Sequence, residues 1–172
     1  LRALIALSGC LGDITISDNF PTPENSGGIS PNTPAPSVEW YTLYFTNPKN
    51  PDTPADHVGG IDEPLIETLD AARQTIDLAG YEINLENVAA ALIAAKDRGV
   101  RVRVITDSDN IAEDAVVMLE DADITVVGDQ REPIMHDKFV VIDGQTVWTG
   151  SMNFTSNDVY RNNNNFIVIE ST

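Results

Sequence analysis

Apolar residues along this chain recur at two periods, and the two alternate. Val100–Thr106 (VRVRVIT) alternates apolar and charged positions, which predicts a half-buried strand. Asn84–Arg98 places Val88, Leu92 and Ile93 on one side of an Ala-rich stretch closed by Gly99, which predicts a helix. Asp62–Arg73, with Leu65, Ile66 and Leu69 at helical spacing and Pro64 in the first turn, predicts another. Between these helices TIDLAGYEI, inside Gln74–Ile83, is a buried strand by its continuous apolar run. Glu39–Thr46 is aromatic and β-prone, and a Pro-rich loop, 47–60, follows it. Ile111–Leu119 is a short helix and Ile124–Val127 a short strand by the same reasoning. Lys138–Ile142 and Thr146–Thr149 flank Asp143-Gly144, a turn pair that predicts a hairpin. Phe166–Ile169 is a last strand. Strands alternating with helices predict an α/β domain, a mixed β-sheet flanked by helices, over 38–172.

The front of the chain breaks this pattern. Residues 11–37 hold Pro21, Pro23, Pro31, Pro34 and Pro36 with many Ser, Thr, Asn and Gly, and no sustained apolar period, which predicts a disordered linker. Ahead of it, an apolar run ends in Leu7-Ser8-Gly9-Cys10. That run has the pattern of a bacterial lipoprotein signal, so residues 1–10 are expected to be part of one. Cys10 is then the lipidation site and the linker a tether in an extracytoplasmic cell-envelope protein. The chain starts without Met, and the expectation is that part of the signal precedes Leu1. Cys10 is the only cysteine, so no intramolecular disulfide can form.

Charge narrows the function. The net charge of −17 excludes a protein that grips nucleic acid over its whole surface, because phosphate neutralisation supplies most non-specific affinity. The acidity is uneven. From Arg131 onward three basic residues (Arg131, Lys138, Arg161) face five acidic ones (Glu132, Asp137, Asp143, Asp158, Glu170), so this stretch is close to neutral. One cysteine and the separated His57 and His136 provide no metal-ligand set, and no cofactor is expected. Val58-Gly59-Gly60 lacks the flanking residues of a phosphate-cradling loop, and His57, in its Pro-rich loop, reads as a solvated side chain.

The neutral stretch carries the candidate chemistry. In MHDKFVVIDGQTVWTGSMN, His136 and Lys138 stand at i and i+2, Asp143 follows, then Gly150, Ser151 and Asn153. On an extended segment an i, i+2 pair shares a face, which sets an imidazole beside a fixed positive charge. That combination suits attack on a phosphodiester, because the imidazole reacts near neutral pH while the ammonium holds anionic oxygens. An H-x-K alone is most often a solvated strand edge. The full pattern H-x-K-x4-D-x6-G-S-x-N is too long for that reading. It resembles the HKD motif of the phospholipase D superfamily, and the likeness runs from about Trp40 to the end of the chain.

The resemblance implies a phospholipase D-like half-domain and a metal-independent phosphodiesterase. His136 would be the covalent nucleophile, and Lys138 would bind the phosphoryl oxygens with Ser151 and Asn153 as neutral donors. Asp143 belongs to the motif's catalytic set, although turn chemistry alone would explain an Asp-Gly there. Gly150 would allow close backbone approach. In the tail Arg161–Ile169, related single-motif proteins carry a Glu that orients the motif His, and here that position is Asn164. An amide oxygen can accept from an imidazole but cannot stabilise an imidazolium by charge. The mechanism wants two histidines, so the expected partner is a second copy in a homodimer or a second motif in a further half of the protein. Phospholipid is the expected substrate. Alternatives are a nuclease acting on a DNA or RNA backbone with the same site, and a non-catalytic domain that keeps the fold to bind phosphate or a partner.

Overall fold

The computed structural model describes residues 40–171. Cys10, the expected signal segment and the expected linker lie outside the described residues. Seven strands form one sheet: β1 (Tyr41–Phe45), β2 (Thr75–Gly80), β3 (Arg101–Thr106), β4 (Val126–Gly128), β5 (Lys138–Ile142), β6 (Thr146–Gly150) and β7 (Asn165–Glu170). The order across it is β1-β7-β6-β5-β2-β3-β4. β2, β3 and β4 are parallel, whereas every pair from β2 through β5, β6 and β7 to β1 is antiparallel. The sheet is therefore mixed and the class α/β, as the sequence pattern predicts.

Helices α1 (Asp62–Ala71), α2 (Glu86–Asp97) and α3 (Asp114–Asp121) precede or connect the parallel strands. Register places Thr42, Val168, Trp148, Val140, Leu78, Val104 and Val126 in one row across the sheet. This row faces the helices, since Leu78, Val104, Val140 and Trp148 share one buried cluster with Leu65, Leu69, Val88, Leu92, Val116 and Leu119. The neighbouring row, Leu43–Ile167–Thr149–Phe139–Ala79–Ile105–Val127, lies on the opposite face. None of the three helices covers that face, and Ile105 and Val127 stay 37% and 49% exposed. No helix among the described residues is long and apolar enough to cross a membrane.

Two elements depart from the sequence reading. α3 begins three residues later than expected, because Asp107 caps a 3-10 turn at Ser108–Asn110 and the chain stays extended at Glu113. A short helix α4 (Ser156–Tyr160), capped by the Thr155 hydroxyl, stands before β7 where no helix is expected. Five residues are too few to show a helical period.

The hairpin turn forms as expected, with positive φ at both Asp143 (53°) and Gly144 (67°). The Asp143 carboxylate accepts the backbone N–H groups of Arg73, Gln74 and Thr75 at 2.8, 2.7 and 2.8 Å. Asp143 thus staples the α1–β2 loop to the hairpin. Asp143 and His136 stand beyond opposite ends of β5, so the Asp143 carboxylate serves the turn end of the strand and His136 the other. Burial pushes the Asp143 carboxyl up, but the three N–H groups outweigh it and hold the group below the usual carboxylate range.

Candidate active site

The motif residues other than Asp143 gather at one end of the sheet. Antiparallel pairing sets Lys138, the first residue of β5, opposite Gly80, the last of β2. Pairing of β6 with β7 brings Gly150 opposite Phe166 at the same end. β2 and β3 both finish there, and the ends of parallel strands are where α/β sheets leave room for a ligand.

Each wall of the site has its own anchor. Asp107, buried just past β3, accepts the Met135 N–H at 2.7 Å and so fixes the residue before His136. Asp137 gives its carbonyl to the Tyr81 N–H at 2.9 Å. His136 itself is exposed, and it lies ahead of β5 rather than on it. Lys138 is 8% exposed and its Nζ donates to the His136 carbonyl at 3.2 Å. Between them stands Tyr81. Its ring centroid is 5.1 Å from the His136 ring, tilted at 59°, and 5.5 Å from Lys138 Nζ. The Tyr81 carbonyl accepts the Thr106 hydroxyl at 3.2 Å and the Asn110 amide at 2.8 Å, so its backbone is held from β3 and the turn beyond it. Burial lowers the Lys138 ammonium below the usual lysine value, and Asp158 and Asp137 work against that fall.

Gly150 makes the close approach expected of it. A Cβ there would sit 2.9 Å from Phe166 Cα and closer still to the Asn165 carbonyl. The chain that follows turns under the sheet, where the Phe154 carbonyl takes the N–H groups of Asn84 and Leu85 at 2.9 and 3.1 Å. Ser151 and Asn153 are placed by this crossing. The Ser151 hydroxyl donates to Asn164 Oδ1 at 2.9 Å and accepts the Asn165 N–H at 3.1 Å. The amide oxygen of Asn164 is thereby engaged by Ser151, and the described residues show no hydrogen bond from it to His136. Asn153 gives its backbone N–H to Asp158 at 2.6 Å, while its own Oδ1 is buried without a partner.

Three contributors escape a reading of the motif alone: Tyr81, Asp107 and Asp158. Asp158 is 6% exposed. Its carboxylate accepts Asn153 N–H and Asn162 Nδ2, both at 2.6 Å, and its carbonyl accepts Asn164 Nδ2 at 3.1 Å. Tyr81 and Asp107 each follow directly on a strand, which is a usable signal for site residues in α/β sheets. Asp158 stands three residues after Thr155, the capping pattern of a helix start.

His57 does not match its expectation. It is half-buried, paired with Asp52 at 2.8 Å and stacked on Tyr160 at 4.5 Å, because Arg161 draws Asp52 onto the α4 segment at 2.7 Å. Tyr160 in turn donates to the buried Asp62 at 2.9 Å, and burial with that neighbouring carboxylate pushes the phenol up beyond its ordinary value.

Known proteins resemble this chain in sequence and in fold. A family model described as "Cardiolipin synthase, PLD-like domain" matches residues 65–172. A protein named phospholipase D from Rickettsia bellii is 33% identical over 80% of this chain and 70% of its own length. A protein named mitochondrial cardiolipin hydrolase from Xenopus tropicalis is 34% identical over 68% of this chain, which spans 57% of that relative. Among solved structures, the phospholipase D family member NUC from Salmonella typhimurium aligns at a TM-score of 0.63 with 26% identity, covering 77% of this chain and 84% of that one. NucT from Helicobacter pylori shares the fold, with a TM-score of 0.59 over 76% of this chain and 84% of that one at 20% identity. The chain belongs to the phospholipase D superfamily.

Proposed function

We propose that this domain hydrolyses a phosphodiester through a phosphohistidine, with phospholipid as the substrate. The observation that carries the reading is that the exposed His136 and the nearly buried Lys138 both lie against the Tyr81 ring at the end of the sheet. Lys138 would bind the non-bridging oxygens and Ser151 would add a neutral donor. His136 attacks phosphorus in line, forming an N–P bond as the ester P–O bond breaks. A second His136, from another copy of the domain, gives its proton to the departing alkoxide. It then takes a proton from water as hydroxide displaces the first His136 from phosphorus. Neither step needs a metal ion.

Phospholipid is favoured over nucleic acid for three reasons. The net charge of −17 opposes a polyanion, and relatives carry the names phospholipase D and cardiolipin hydrolase. The lipoprotein-like Leu7-Ser8-Gly9-Cys10 would tether such an enzyme at its substrate. The test is an assay in excess EDTA with cardiolipin-containing vesicles and, in parallel, a single-stranded oligonucleotide. Vesicle lipid should be cleaved, and His136→Ala should lower the rate by more than about a thousandfold. Cleavage that needs added metal, or that survives the substitution, overturns the mechanism. Cleavage of the oligonucleotide alone overturns the substrate.

A further inference from the structure

We propose that Thr46, just past β1, is a positioning residue of this site: its hydroxyl sets Asn164, and through that segment the hydroxyl of Ser151, an inference that rests on the phosphodiesterase reading. β7 runs between β1 and β6, and the chain enters it through two rungs built alike. An antiparallel pair that exchanges hydrogen bonds normally does so through two N–H groups and two backbone carbonyls. Here the Thr46 N–H goes to the Asn164 carbonyl at 3.0 Å, but the Asn164 N–H returns to the Thr46 hydroxyl at 2.7 Å. On the other side the Ser151 N–H goes to the Asn165 carbonyl at 3.1 Å, and the Asn165 N–H returns to the Ser151 hydroxyl at 3.1 Å. Two successive N–H groups are thus held by two hydroxyls from opposite neighbours. The Thr46 hydroxyl gives its own proton to the Asn162 carbonyl at 2.6 Å, so it spans the turn from α4 into β7.

The Ser151 hydroxyl also donates to Asn164 Oδ1 at 2.9 Å, and Asn164 Nδ2 donates to the Asp158 carbonyl at 3.1 Å. With the amide so turned, Oδ1 can only accept, which aims the one Ser151 proton at it. To give that proton to a phosphoryl oxygen, the O–H must swing about the Cβ–Oγ bond while Oγ stays where the Asn165 N–H holds it. The place of Oγ therefore depends on where Asn164 and Asn165 stand, and Thr46 binds that segment from the β1 side. The Pro-rich loop that follows Thr46 grips the turn further back, with Asp52 on Arg161 at 2.7 Å and His57 stacked on Tyr160 at 4.5 Å. Those two contacts end before Asn162, whereas the Thr46 hydroxyl is bonded to Asn164 itself.

The experiment is a double-mutant cycle in the full chain, Thr46→Val with Ser151→Ala, assayed on cardiolipin-containing vesicles, with thermal melting to confirm folding. Valine keeps the branched shape and leaves the Asn164 N–H without its acceptor. Against wild type, Thr46→Val should lower kcat about tenfold, and Thr46→Ser, which restores the hydroxyl, should recover most of the rate. In the Ser151→Ala background Thr46→Val should cost less than about twofold, because the group it positions is gone. Equal losses in the two backgrounds overturn the proposal, as does a full rate in Thr46→Val or no recovery in Thr46→Ser. If Thr46→Val does not fold, Thr46→Ala enters the same cycle, and failure of both to fold overturns the proposal, because the hydroxyl then serves the fold. A separate readout needs no activity. The Asn165 N–H is held by Ser151 and not by Thr46, so its hydrogen exchange, followed by NMR, should quicken about tenfold in Thr46→Val while that of Ile169 in the same strand stays unchanged. Unchanged exchange at Asn165, or an equal rise along β7, also overturns the proposal. Should the wild-type protein cleave no phosphodiester, the phosphodiesterase reading falls, and exchange at Asn165 alone decides on Thr46.

Discussion

Tyr81 shows what single residues do here beyond the motif. Its ring lies against the His136 imidazole at 5.1 Å and beneath the Lys138 ammonium at 5.5 Å. An aromatic face favours a nearby cation and limits the ring positions open to the imidazole. Tyr81→Phe keeps the face and should retain most of the rate. Tyr81→Leu removes it and should cost about tenfold in kcat, from the roughly 1 kcal/mol such contacts supply. Equal losses in both variants would assign the effect to the phenol hydroxyl instead. His136 and Lys138 are legible in sequence because their spacing belongs to one short segment. Tyr81, Asp107 and Asp158 are less so, since tertiary packing brings them from β2, β3 and α4. The Asn164 bond to Ser151 is of the same kind, because two segments must first be paired by β6 and β7.

At the level of elements, the β5–β6 hairpin is the clearest case of sequence deciding structure. Asp143-Gly144 supplies the positive φ that the turn requires, and alternation along VRVRVIT puts Val102 and Val104 on the helix side of β3. The turn also carries the staple to Arg73, Gln74 and Thr75. Asp143→Ala leaves three N–H groups short of an acceptor and strains an alanine at positive φ, so stability should drop by about 2 kcal/mol. Chemical denaturation measures this, and a change under about 0.5 kcal/mol would mean water replaces the carboxylate at no cost. The pH dependence has a definite sign. The Asp143 carboxyl is lower in the folded than in the unfolded chain. Its contribution is therefore complete above the ordinary aspartate range and is lost as pH falls through the folded value. α4 and the late start of α3 are less legible. Each is set by a side chain capping a single turn, Thr155 in one case and Asp107 in the other.

The whole molecule presents one His136, and the proposed chemistry uses two. A sample of this chain that turns over substrate should therefore sediment at twice the monomer mass of 18.7 kDa or more. An active species that is strictly monomeric would remove the second histidine from the mechanism. The alternation of helix and strand predicts the mixed sheet. It does not predict which face stays open, because Phe139, Ile105 and Val127 read as ordinary alternate positions in their strands. The active end of the sheet lies where its two halves join. β2, β3 and β4 form a set of parallel crossovers, while β5, β6 and β7 form a meander of neighbours in sequence. Tyr81 and Asp107 come from the first set, His136, Lys138 and Ser151 from the second. The site is complete only where the two halves pair through β2 and β5. Turnover consequently reports the seam between them, and far-UV dichroism reports only its two sides.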